Sequence, residues 1–146
     1  MKKRLLPLMG LTLITVLLLS GCGSNYADGT YTAQSSVYEG LEDDEGDAGG
    51  DGYGVVSITI RDNVIVDCTF TTYMTDGTEK DEDYGKQDGE IANQDYYNKA
   101  QRAGQNYAEQ LAAKGSLDQV DAISGATISY DEFKEAVRLA LKQAKS

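Results

Sequence analysis

The sequence predicts an α+β domain, a small antiparallel β-sheet packed against two helices, and three stretches carry that prediction. Alternating apolar and polar residues on both sides of Asp62-Asn63 describe a β-hairpin. A helical period runs from Gln94 to Lys114 and stops at Gly115, a residue suited to ending a helix. A second helical period begins at Ser129 and runs through Ala144. Strands that precede the helices, rather than alternate with them, favour an antiparallel sheet covered by the two helices.

Residues 1–21 stand apart from that domain. Lys2, Lys3 and Arg4 precede an apolar run from Leu5 to Leu19, which closes in Leu19-Ser20-Gly21-Cys22. Basic start, short apolar run and small residues form a secretory signal, too short to read as a membrane span. The last four residues resemble a bacterial lipobox. The expectation is a signal peptide over residues 1–21 cleaved before Cys22, with lipid on the Cys22 sulfur. A short tether over residues 22–27 and a domain over residues 28–146 would then lie against the outer face of the cell membrane.

Cleavage removes three basic side chains and moves the formal charge from −11 to −14. That balance argues against nucleic acid as a partner, because such binding needs clustered Lys and Arg. It also assigns membrane attachment to acyl chains rather than to a grip on anionic head groups. With Cys22 lipidated, Cys68 has no cysteine to pair with. The chain has no histidine and no tryptophan, which excludes Ser-His-Asp triads, Cys-His dyads and histidine metal sites. No metal site is expected, and redox chemistry would come from a bound cofactor.

In order along the mature chain, a first strand is predicted from about Thr30 to Val37, where Thr, Tyr and Ser dominate. Glu39 to Gly54 sets Glu42, Asp43, Asp44, Glu45, Asp47 and Asp51 among glycines and reads as a solvated loop. It lacks the D-x-D-x-D-G spacing of a calcium loop. In the hairpin, Val56, Ile58 and Ile60 share one face of the first strand; Val64, Val66, Cys68 and Phe70 form the apolar row of the second. Within that row Cys68 reads as a small buried hydrophobe rather than a reactive thiol. Met74 to Ala92 is polar, with turn signals at Asp76-Gly77, Tyr84-Gly85 and Asp88-Gly89, and is predicted to lack regular structure.

On the first helix, Tyr96 or Tyr97, Ala100, Gly104, Tyr107, Ala108 and Leu111 recur at three- and four-residue steps. They read as a core stripe more readily than as a stacking platform. On the last helix, Ser129 and Glu132 have the spacing of a capping box. Phe133, Val137, Ala140, Leu141 and Ala144 make its apolar face, with Lys134, Glu135, Arg138 and Lys142 outside it.

Just ahead of that helix lies Asp121-Ala122-Ile123-Ser124-Gly125-Ala126-Thr127. Gly125 can take backbone angles closed to other residues, Ala126 adds little bulk, and the hydroxyls of Ser124 and Thr127 flank the pair. Thr127 falls two residues before the predicted cap, near free N–H groups and the positive end of a helix dipole. A phosphate is suited to that position.

The stretch resembles the motif D-x-x-S/T-G-A-T/S of the FMN-binding domain family. That family includes flavin-carrying subunits of the Rnf and sodium-pumping NADH:quinone reductase complexes and small bacterial lipoproteins. Asp28-Gly29-Thr30-Tyr31 is similar to the family's opening strand, and the hairpin from Gly52 to Phe70 matches in kind. The resemblance implies FMN joined by a phosphoester to Thr127, placed there by a flavin transferase that uses FAD and a divalent metal. It implies a hydrogen bond from Ser124 to the phosphate, access to the hydroxyl through Gly125 and Ala126, and a bracing or docking role for Asp121. Unlike the respiratory subunits, this chain has a lipobox and no later apolar span.

The expectation is thus a lipid-anchored extracytoplasmic flavoprotein that carries electrons rather than an enzyme with its own substrate. A membrane quinone or its dehydrogenase would be its redox partner. The alternative is a non-redox surface lipoprotein that keeps the fold as a binding module.

Overall fold

A computed structural model of the chain describes residues 25–39, 51–81, 84, 86–87, 90–91 and 94–145. The expected signal peptide, Cys22 and most of the acidic stretch lie outside them. Strand β1 (Gly29–Gln34) pairs antiparallel with β2 (Tyr53–Arg61), and β2 pairs antiparallel with β3 (Val64–Tyr73), giving the sheet order β1-β2-β3. Asp62 and Asn63 both take positive φ, 51° and 64°. These angles give the tight turn whose twist matches that of the flanking strands.

Along β2 the alternation is regular, with Gly54, Val56, Ile58 and Ile60 buried, Tyr53, Val55, Ser57 and Thr59 half-buried, and Arg61 exposed. On the other face of the sheet the register places Thr30 opposite Thr59 and Thr32 opposite Ser57, and hydroxyls meet across the strands at 3.1 and 3.3 Å. In β3 the expected apolar row is broken. Thr59 pairs with Asp67 but Ile60 pairs with Ile65, so Val66 is the extra residue of a β-bulge. The bulge turns Ile65 inward beside Cys68, and leaves Val64 and Val66 about half exposed. Burial pushes the Cys68 thiol up to about 12, so it is an inert core group.

After β3, Lys86–Gln87 (β4) and Glu90–Ile91 (β5) pair in a small second sheet where the sequence predicts no regular structure. They flank Asp88-Gly89, one of the turn signals, and two residues per strand are too few to leave a periodic pattern.

Helix α1 (Gln94–Lys114) keeps the predicted bounds, and Gly115 ends it with φ 70° and an N–H bond to the Leu111 carbonyl at 2.8 Å. Helix α2 (Thr127–Ala144) starts three residues earlier than a capping box at Ser129 predicts. Its N-cap is Ala126, and no side chain caps it. Both helices cover the same face of the sheet, α1 chiefly over β3 and α2 over β1 and β2. Val56, Ile58, Ile60, Tyr107, Leu111, Phe133 and Val137 are fully buried between the layers. No helix among the described residues is long and apolar enough to cross a membrane.

Phe70 is seated between two glycines. A Cβ on Gly54 would lie 2.7 Å from the ring's Cζ, and one on Gly104 would lie 3.3 Å from its Cδ1. The ring meets Phe133 edge-on at 5.2 Å. Gly54→Ala should therefore destabilise the fold by about 1–3 kcal/mol through overpacking, measured by urea unfolding. An unchanged midpoint would mean that the Phe70 ring is free to shift.

Residues 25–27, expected as the end of the tether, are held against the domain. The Tyr26 N–H donates to Asn63 Oδ1 at 2.7 Å and the Ala27 N–H to the Ala144 carbonyl at 2.8 Å. The start of the described chain is thus fixed beside the C-terminal end of α2.

Candidate functional site

Between the helices, residues 120–126 form a loop tied down by hydroxyls and amides. Tyr107, fully buried on α1, accepts the Ile123 N–H at 3.1 Å and donates to the Ala126 carbonyl at 3.3 Å. Burial raises its pKa, which keeps the phenol proton available for that second bond. Tyr130 on α2 donates to the Val120 carbonyl at 2.9 Å. Gln110 holds Asp121 by both backbone groups, accepting its N–H at 2.9 Å and donating to its carbonyl at 3.3 Å. The Asp121 carboxylate meets Lys114 at 3.0 Å but is 86% exposed, so the ion pair adds under about 1 kcal/mol. Asp121 therefore fastens the loop to α1 mainly through its backbone.

This lacing presents the far end of the loop rigidly. Gly125 sits at φ 79°, where a side chain would be strained. Ser124 and Gly125 are exposed, and Thr127 is exposed as the first residue of α2. Ala126 is buried, only 6% exposed, so its small size serves packing beneath the turn rather than clearance around the hydroxyl. Because Ala126 cannot cap, the first-turn N–H groups of α2 keep their affinity for an anion.

Beside Thr127 runs a groove of about 380 Å³. One wall is the Ser36–Tyr38 segment, which follows β1 and bonds to Gly52 through both backbone groups of Tyr38 at 2.6 and 2.9 Å. The other wall is the first turns of α2, including Thr127, Ile128, Asp131 and Glu132. Glu135 joins the walls, accepting the Ser36 N–H at 3.1 Å and the Ser36 hydroxyl at 2.7 Å. A second, shallower groove of about 570 Å³ lies along Thr32–Gln34 and the later turns of α2, and Thr127 does not line it.

Glu132 is the residue the sequence misplaces. It is 6% exposed, and its Oε1 has no hydrogen-bond partner. Burial pushes its carboxyl up to about 7, against the opposing pull of Lys80. Lys80 is buried too, its ammonium 5.3 Å from the centre of the Tyr84 ring. Among the described residues no group of acidic or cysteine side chains is placed to hold a metal ion.

The fold is shared with a solved structure. A crystal structure of a Clostridium perfringens protein matches at 24% identity over 82% of this chain and 88% of that one, with a TM-score of 0.56. A solution NMR structure of a Clostridium thermocellum protein matches at 20% identity over 82% and 92%, with a TM-score of 0.47. No curated protein matches. The profile of the FMN-binding domain matches residues 49–142, from just before β2 to near the end of α2 and including the loop that presents Thr127. That match covers well over half the chain, which belongs to the FMN-binding domain family.

Proposed function

We propose that this protein is a lipid-anchored, extracytoplasmic electron carrier whose FMN is joined through a phosphoester to Thr127. The observation that carries the reading is the position of Thr127: exposed, at the uncapped start of a helix, on the lip of a groove, and inside D-x-x-S-G-A-T. The residues fit the group. Uncapped N–H groups suit a phosphate, and Gly125 at φ 79° gives a tight approach to the hydroxyl. The groove falls within the ~300–1,000 Å³ of small-ligand clefts, and the Glu132 carboxyl supplies a polar group to its wall.

Bound there, FMN supplies reversible acceptance of one or two electrons. The chain's own residues anchor, orient and shield. Tyr107, Tyr130 and Gln110 hold the loop so that Thr127 is presented in one geometry. A threonine hydroxyl is a weak nucleophile, so a flavin transferase must activate it, and this chain only displays it. A covalent bond also keeps the flavin from dilution outside the cell.

Anchoring at Cys22 would orient the molecule. Tyr26 is docked at the hairpin tip and Ala27 at the end of α2, and four residues from Cys22 reach at most ~14 Å. Helix α2 has 18 residues, so Thr127 lies about 27 Å away along its axis. The flavin end would then face outward, toward an acceptor beyond the membrane, with a quinone-linked dehydrogenase as donor.

Membrane fractions from cells that also express a flavin transferase test the reading. Wild-type chain should give a fluorescent band that survives denaturation and sediments with membranes. Cys22→Ser should keep the fluorescence and lose the sedimentation. A colourless wild-type chain in a host that flavinylates other acceptors would favour the non-redox binding module.

A further inference from the structure

Glu132 stands out because its buried Oε1 has no hydrogen-bond partner, although Lys80 lies near enough to pull on its charge. It sits on the same line of α2 as Ala136, Ala140 and Ala144, all buried. Its Cβ packs over Gly54, 3.3 Å from where a Cβ there would lie. A buried carboxyl with an unused oxygen is costly unless something pairs with it. That oxygen belongs to a residue lining the groove beside Thr127. Three residues on, Glu135 is fully engaged by Ser36. Both oxygens of the Glu135 carboxylate are hydrogen-bonded, whereas Glu132 Oε1 has no partner.

We propose that Glu132 is a ligand-contacting residue, whose neutral carboxyl donates a hydrogen bond to an acceptor on the flat heteroaromatic ring held in this groove. Occupancy of the groove is then coupled to the Glu132 proton. This rests on the reading of the groove as a flavin site. A carboxyl that must stay protonated to donate loses the bond when it ionises, so binding weakens as pH rises through about 7. The other charged and titratable groups around it are Lys80 after β3, Tyr38 beyond β1, and Asp131 and Glu135 on α2. All four remain in a Glu132→Gln variant, so their contribution is the slope that variant retains.

Free riboflavin is the probe, titrated by fluorescence quenching into the full chain expressed without a flavin transferase. It carries the ring without the phosphate, whose second ionisation near pH 6 would obscure the result. For a group titrating near 7, affinity should fall about tenfold between pH 6 and pH 8. Glu132→Gln keeps a neutral donor and should bind with the same affinity at both values, close to wild type at pH 6. Glu132→Leu, checked for folding by circular dichroism, should bind at least tenfold more weakly than wild type at pH 6. Equal pH slopes in wild type and Glu132→Gln, or no saturable binding at pH 6, would overturn the proposal. Thr127 is unmodified throughout, so either failure leaves covalent attachment to be judged separately by mass.

Discussion

Thr127→Ala, co-expressed with a flavin transferase, is expected to yield a folded chain with no flavin retained after denaturation. The effect should be all-or-none, because a phosphoester needs a hydroxyl and alanine has none. Thr127 is exposed and makes no capping bond as the first residue of α2, so the substitution removes little from the fold. Thr127→Ser keeps the hydroxyl at the same backbone position and should retain in-gel fluorescence. Ser124 is the control: it is also exposed, three residues earlier, and Ser124→Ala should keep the covalent flavin. Fluorescence that survives Thr127→Ala but not Ser124→Ala would move the attachment point to Ser124.

The second large effect is on stability. Burial raises the Glu132 carboxyl from its ordinary 4.5 to about 7, so the folded chain binds that proton more tightly than the unfolded chain does. Stability must therefore fall as pH rises from about 4.5 to about 7, and the whole deficit persists above that window. Glu132→Gln removes the ionisation while keeping the shape. In the unmodified chain it should stabilise the fold by about 3 kcal/mol at pH 8 and by under about 1 kcal/mol at pH 5. Urea unfolding at the two values reads this difference directly. An equal effect at both would mean that Glu132 ionises freely in the folded protein.

Glu132 also illustrates where sequence reading stopped. Its distance from Ser129 fits a capping box, but the helix begins at Thr127, and Glu132 joins a buried line whose other members are alanines. The predicted stripe includes Ala140 and Ala144 but stops short of Ala136, and an acidic residue one turn before a small alanine carries no apolar signal that would extend the buried line to Glu132. The β3 row failed for a different reason. Val64, Val66, Cys68 and Phe70 alternate well, yet the bulge at Val66 moves the inward set to Ile65, and no residue type marks a bulge of this kind. By contrast, the Asp62-Asn63 turn and the span of α1 were legible because local propensity and tertiary packing agree there.

The site divides the same way. Asp121 to Thr127 could be read as a presentation turn from its residue types alone. The second wall of the groove could not, since Ser36 meets Glu135 across 99 positions of sequence. Nor could the clamp, in which one phenol at Tyr107 spans Ile123 and Ala126. Such contacts exist only once the sheet has brought the two helices side by side.

The central claim is that this chain carries FMN on Thr127, and peptide mass spectrometry of protein made with a flavin transferase tests it most directly. The account predicts that the proteolytic peptide containing Thr127 carries the mass of FMN less one water, with fragment ions placing the adduct on that residue. An unmodified Thr127 peptide, from a host in which another acceptor is flavinylated, would contradict it.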